Sequence, residues 1–96
     1  MTRPRHPKPD ANQGEIVEGL RAYGYWVFDV SAWFAFADLL VWGLDWRTQE
    51  KELRLFEVKT ATGTLTPTER QFQEDHPGMV QTVRSLEDCL MSYGRV

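Results

Sequence analysis

Cysteine is almost missing from this 96-residue chain, with Cys89 the only one. An intramolecular disulfide and any Cys-rich zinc site are thereby excluded, and a reducing, intracellular setting is the simplest expectation. Cys89 itself reads as a core or helix-surface thiol. Long apolar runs are missing too. No stretch approaches the roughly 20 residues of a membrane helix, so no membrane partner is expected. The first ten residues are basic and Pro-rich with no apolar segment behind them, which argues against a secretory leader. Gly-rich phosphate loops, a nucleophile elbow and zinc-ligand spacing are all absent. His6 and His76, the two histidines, make no metal pair: one stands in the N-terminal arm, the other at a helix end beside Pro77.

Positive charge is scarce beyond residue 9. Arg3, Arg5 and Lys8 precede the first acid, while residues 10–96 hold 8 basic against 14 acidic side chains, for a net charge of −3. Charge alone therefore leans away from a nucleic-acid partner, although a metal site needs acids and bound cations offset part of the excess. Hydrophobic residues make up 42% and include four Trp, five Phe and three Tyr. That is material for one compact but thin core, and stability is expected to lean on a partner subunit.

The chain reads as an arm followed by one domain over 12–96. Pro4, Pro7 and Pro9 make residues 1–11 a flexible, basic, Pro-rich arm. Asn12 and Glu15 have capping-box spacing, and Ile16, Val17, Leu20 and Tyr23 repeat at helical period, so a helix is expected over about 13–23, ended by Gly24. Tyr25 to Val30 and Phe36 to Gly43 read as strands, 44–51 as a hairpin connection, and Glu52 to Thr60 as the third strand. Thr66-Pro67-Thr68-Glu69 opens a second helix over about 67–76. Met79 to Val83 is a fourth strand, and Ser85 with Asp88 opens a last helix over about 86–93. The order α-β-β-β-α-β-α predicts an α+β fold: an antiparallel meander of three strands, a parallel crossover to the fourth, and a mixed four-stranded sheet flanked by helices.

Asp38 is the informative residue, because a carboxylate inside Phe-Ala-Asp-Leu-Leu-Val is costly to bury without a partner. A hairpin centred near Arg47 and Thr48 places Asp38 opposite Glu57, Phe36 opposite Lys59, Leu40 opposite Leu55 and Trp42 opposite Leu53. Opposed residues have Cβ atoms roughly 5 Å apart. Two carboxylates that close repel unless something positive sits between them. Mg²⁺, or Mn²⁺, suits such oxygen donors, with the Val58 carbonyl as a third. Lys59 projects on the same side as Glu57, so the set Asp38, Glu57, Lys59 has the makings of metal-assisted phosphoryl chemistry. Glu15 joins it if the first turn of helix one packs over this end of the sheet; otherwise it is a capping acid.

At these residues the chain resembles the PD-(D/E)XK nuclease superfamily, in particular its small phage and bacterial VRR-NUC type. The resemblance rests on Asp10-Ala-Asn-Gln-x-Glu-Ile-Val, Ala37-Asp-Leu-Leu-Val, Leu55-Phe-Glu-Val-Lys, Leu65-Thr-Pro-Thr-Glu and Val83-Arg-Ser-Leu-Glu-Asp in that order, over residues 10–91. It implies a restriction-endonuclease-like core, Asp38 and Glu57 as metal ligands, Lys59 as the catalytic lysine and Glu15 as the helix-one acid. It further implies divalent-metal-dependent DNA cleavage, structured or branched DNA as substrate, and a homodimer in a bacterial or phage-infected cytoplasm. The chain departs from the family at Ala37, where Pro is usual, at the bulky Ala32-Trp-Phe-Ala-Phe approach, and at Glu69, where Gln is common. Glu69 reads as a helix cap. Two other readings compete: a nuclease-fold module that binds DNA or protein without cutting, and a hydrophobic interaction module using Trp33, Phe34 and Phe36.

Overall fold

A computed structural model describes residues 12–95, so the expected arm over residues 1–11 lies outside the described residues. Helix α1 (Gln13–Ala22) turns Ile16 and Leu20 inward and ends at Gly24, whose φ of 92° suits a residue without a side chain. Asn12 does not cap this helix with its side chain, contrary to the capping-box expectation. Its Nδ2 donates instead to the carbonyls of Lys59 and Arg84, at 3.1 and 2.9 Å. A long-range tether has replaced a local cap.

Strands β1 (Trp26–Asp29), β2 (Leu39–Asp45) and β3 (Glu50–Val58) form the antiparallel meander. Helix α2 (Pro67–Asp75) leads to β4 (Val80–Val83), which pairs parallel with β3, and helix α3 (Leu86–Ser92) closes the chain. The sheet order is β1-β2-β3-β4, so the described residues form three helices on a mixed four-stranded sheet, an α+β fold. The expected hairpin register is the observed one: Leu40 opposes Leu55 and Trp42 opposes Leu53.

The strands begin and end elsewhere than expected. The β2–β3 ladder runs on to Asp45 and Glu50, so the connection shrinks to a four-residue turn with Gln49 at φ 62°. At its other end β2 starts at Leu39, not Phe36, and Phe36 does not face Lys59. Phe36 stacks instead between Phe34 and Phe72 of α2, with ring centroids 5.1 and 4.3 Å away.

One sheet face is the core. Val27, Leu39, Val41, Phe56, Val58 and Val83 are buried there with residues of α1 and α3. Cys89 of α3 is fully buried and its thiol is pushed up to about 12 by desolvation, then by the Asp88 charge, which makes it unreactive packing. Gly43 lies where this face is most crowded: a Cβ there would stand 2.0 Å from Cδ1 of Tyr25.

Candidate active site

The second face of the sheet carries the polar cluster, at the end where β2 begins and β3 finishes. Alternation puts Glu57 on this face, between the core residues Phe56 and Val58. Asp38 stands one residue before β2. Its amide donates to the Phe56 carbonyl at 2.9 Å, which carries the ladder one step beyond Leu39. Its Oδ2 accepts the Val58 amide at 2.8 Å, fixing the carboxylate against β3. Both acids are buried, Asp38 at 7% exposure and Glu57 at 3%.

The carboxyl groups of Asp38 and Glu69 lie close enough to Glu57 to govern its titration. Desolvation, then the charges of Asp38 and Glu69, push its carboxyl up to about 9. At neutral pH the coupled acids of this cluster therefore favour keeping a proton among them. The Lys59 ammonium sits 3.7 Å from Glu57 Oε2 and 2.9 Å from Glu69 Oε1. Its own side chain is only 11% exposed.

Glu69 is the member that sequence reasoning assigned to capping alone. The cap is real: Glu69 Oε1 accepts the Thr66 amide at 2.9 Å, and Thr66 Oγ1 accepts the Glu69 amide at 3.2 Å. The same carboxylate also closes the cluster from the α2 side. Although burial works against it, the Thr66 amide and then Lys59 hold it below the usual carboxylate range. Its signal was in the sequence, since a capping acid must turn back toward whatever precedes the helix, and here that is the segment leaving Lys59. The segment is itself pinned, with Arg84 donating to the carbonyls of Thr60 and Gly63, both at 2.6 Å.

Glu15 is exposed in the first turn of α1. Asn12, just before α1, reaches the Lys59 backbone, but Glu15 itself is not among the buried acids. Val58 contributes its amide to Asp38 and its side chain to the core.

The donor set suits a hard divalent cation. Glu57 and Glu69 flank one ammonium and the Asp38 charge acts on Glu57, a balance that a further positive charge relieves. Oxygen donors favour Mg²⁺ or Mn²⁺ over zinc. Among the described residues, however, no three His, Cys, Asp or Glu side chains are arranged as a metal cage. A cation here would rest on two carboxylates, with backbone and solvent oxygens completing its shell, as Mg²⁺ commonly does. Among the described residues no helix is long and apolar enough to cross a membrane. No family profile, curated protein or solved structure matches the chain.

Proposed function

We propose that the chain is a divalent-metal-dependent DNA endonuclease that hydrolyses phosphodiester bonds, with structured or branched DNA as its substrate. The observation that carries this is the buried cluster of Asp38, Glu57 and Lys59, with a carboxyl pushed up to about 9 at its centre. Buried acids with shifted titration gathered beside an ammonium are common at active sites and rare in a packed core. The choice of DNA, and of branched DNA, rests on the resemblance of the five sequence segments to PD-(D/E)XK nucleases of the VRR-NUC type.

Asp38 and Glu57 would hold the cation, with the Val58 carbonyl beside them. When bound, it supplies Lewis acidity toward the phosphate and lowers the pKa of water. The chain's own groups do the rest. The Val58 amide fixes Asp38 so that its other oxygen is directed without rotamer cost. The proton that the coupled acids retain would pass to solvent when a cation binds there. Lys59 holds an ammonium where charge grows on the phosphate oxygens, and Glu69 keeps that ammonium from swinging away.

The test is a cleavage panel of single-stranded, duplex, flap and four-way-junction DNA with Mg²⁺ or Mn²⁺. Cleavage is expected on at least one substrate, with loss in Asp38→Asn and in Lys59→Ala. Inactivity on every substrate would favour the second reading, a nuclease-fold module that binds DNA or protein without cutting. The net charge of −3 and the lack of a three-ligand cage among the described residues favour that reading.

A further inference from the structure

At the end of the sheet opposite the acid cluster, β2 finishes, β3 begins and the chain leaves α3. A cleft of about 300 Å³ opens there, lined wholly by described residues. Its walls include the rings of Tyr23, Trp26, Trp42 and Trp46 and two cations, Lys51 of β3 and Arg95 beyond α3. No lining residue carries a carboxylate. Three of the chain's four tryptophans thus converge on one recess.

The recess is built into the backbone. The Tyr25 amide donates to the Leu20 carbonyl at 3.0 Å, the Trp46 amide to Tyr93 at 2.8 Å and the Arg95 amide to Leu90 at 2.8 Å, so all three approaching segments are tied down. Trp26 stacks on Phe28 at 5.8 Å. The Arg95 guanidinium lies over the Tyr23 and Trp46 rings, 4.7 and 4.4 Å from their centroids. Stacking uses the flat face of a guanidinium and leaves its edge N–H donors for an oxyanion. Among the described residues neither Arg95 nor Lys51 has a salt-bridge partner. Two such cations in one recess reverse the sign of a chain whose net charge is −3.

We propose that this cleft binds a nucleoside monophosphate, with one base among the tryptophans and one phosphomonoester between Lys51 and Arg95. Size, shape and charge each select this ligand. A volume near 300 Å³ is at the lower limit of small-molecule sites, room for one ring system and its substituents. Indole faces favour a flat ring, through offset stacking, over a branched aliphatic group. A phosphomonoester brings a charge of about −2 at neutral pH, which two cations match, whereas a carboxylate would leave one of them unmatched. The acid cluster takes no part, and the cleft can be occupied whether or not the chain cuts DNA.

Tryptophan fluorescence of the full chain in EDTA tests this separately from the nuclease reading. Three of the four fluorophores line the cleft, and the chelator keeps divalent metal from the acid cluster. AMP and dTMP are expected to quench with saturation at or below millimolar concentration. Adenosine and inorganic phosphate, each carrying half of the ligand, are expected to bind about 10-fold more weakly or worse. Lys51→Gln and Arg95→Gln are each expected to weaken AMP by about 10-fold, the scale of one hydrogen bond to a charged group, with the far-UV spectrum unchanged. Lys51 is exposed, so its variant decides the matter if Arg95→Gln fails to fold. The proposal is overturned if millimolar AMP gives no saturable quenching, if adenosine binds as well as AMP, or if both variants keep full affinity. With AMP bound as expected, displacement by 5′-phosphorylated oligo-dT assigns the site to a strand end, and failure to displace assigns it to the free nucleotide.

Discussion

The Lys59 ammonium lies 2.9 Å from Glu69 Oε1, closer than the 3.7 Å to Glu57, its neighbour on β3. The lysine is thus held by the helix that follows the site rather than by the strand that carries it. Glu69→Gln separates the two duties of this acid. The amide can still accept the Thr66 N–H, so the cap survives and Tm is expected to change little. Removing the charge should lower divalent-metal-dependent cleavage by about 10–100-fold, the scale of a supporting residue. Glu69→Ala loses both duties and should lower Tm as well. Paired melting and cleavage measurements on the two variants check this, and a Glu69→Gln enzyme with full activity would remove Glu69 from the mechanism.

Glu57 predicts an inverse pH dependence for the metal-free protein. In the folded chain its carboxyl is pushed up to about 9, mainly by burial, whereas an ordinary glutamate lies at 4.5. The fold therefore holds a proton that the unfolded chain has released over this whole interval. Stability is greatest below pH 4.5 as far as this group is concerned, and falls as pH rises toward 9. A cation that takes the proton's place reverses the trend. The Tm gain from Mg²⁺ should accordingly be larger near pH 9 than near pH 5. Glu57→Gln should flatten the pH slope and abolish the gain. A Mg²⁺ gain that persists in Glu57→Gln would place the cation elsewhere.

The sequence made the element order and the hairpin register legible because both follow from local rules. Leu40, Trp42, Leu53 and Leu55 alternate at period two, and a hairpin centred at Arg47–Thr48 admits one pairing that keeps them together. The three-residue error at the start of β2 has a tertiary cause. Phe36 is as strand-like as Leu39, but its ring finds Phe72, thirty-six positions onward, and no periodicity encodes that. Asn12 failed as a cap for the same reason, since its amide had a better partner at Lys59 and Arg84. The exposure of the outer face of β1 stayed hidden because Tyr25 to Phe28 is apolar on both sides of the strand. Composition does not distinguish a strand buried twice from one that leaves Trp26 and Phe28 in solvent.

Asp45 anchors the opposite end of the sheet and should govern acid unfolding. Hydrogen bonds from the Arg47 side chain and amide, then the charges of Arg47 and Arg54, lower its carboxyl from 3.8 to about 2. Arg54 Nη2 stands 2.6 Å from Oδ2 and its guanidinium covers the Tyr93 ring at 4.6 Å. For a depressed acid the stabilisation is present above 3.8 and is lost as pH falls toward 2. Asp45→Asn should be less stable than wild type at neutral pH, and the gap should close across that interval. Urea midpoints for the two proteins through the acid range measure it. A gap that stays constant down to pH 2 would show that the carboxylate's charge plays no part.

Gly43 offers a purely steric test of how the core face is packed. It sits within β2 opposite Glu52, in ordinary extended backbone, so no left-handed conformation demands a glycine. What demands it is the Tyr25 ring, whose Cδ1 and Cε1 would lie 2.0 and 2.6 Å from an added Cβ. The ring cannot retreat cheaply. Tyr25 is buried, its hydroxyl donates to the Leu44 carbonyl at 2.9 Å, and its face meets Tyr93 at 4.6 Å. Gly43→Ala should therefore cost about 1–3 kcal/mol, the range for forcing extra volume into a packed interior. Strand propensity alone favours the opposite sign, because alanine replaces glycine in an element interior. Tyr25→Leu in the same chain removes the clashing ring edge, so the double variant should lose less stability than the two single losses together. Additive losses in that cycle would mean that Gly43 and Tyr25 do not share the space the structure assigns them.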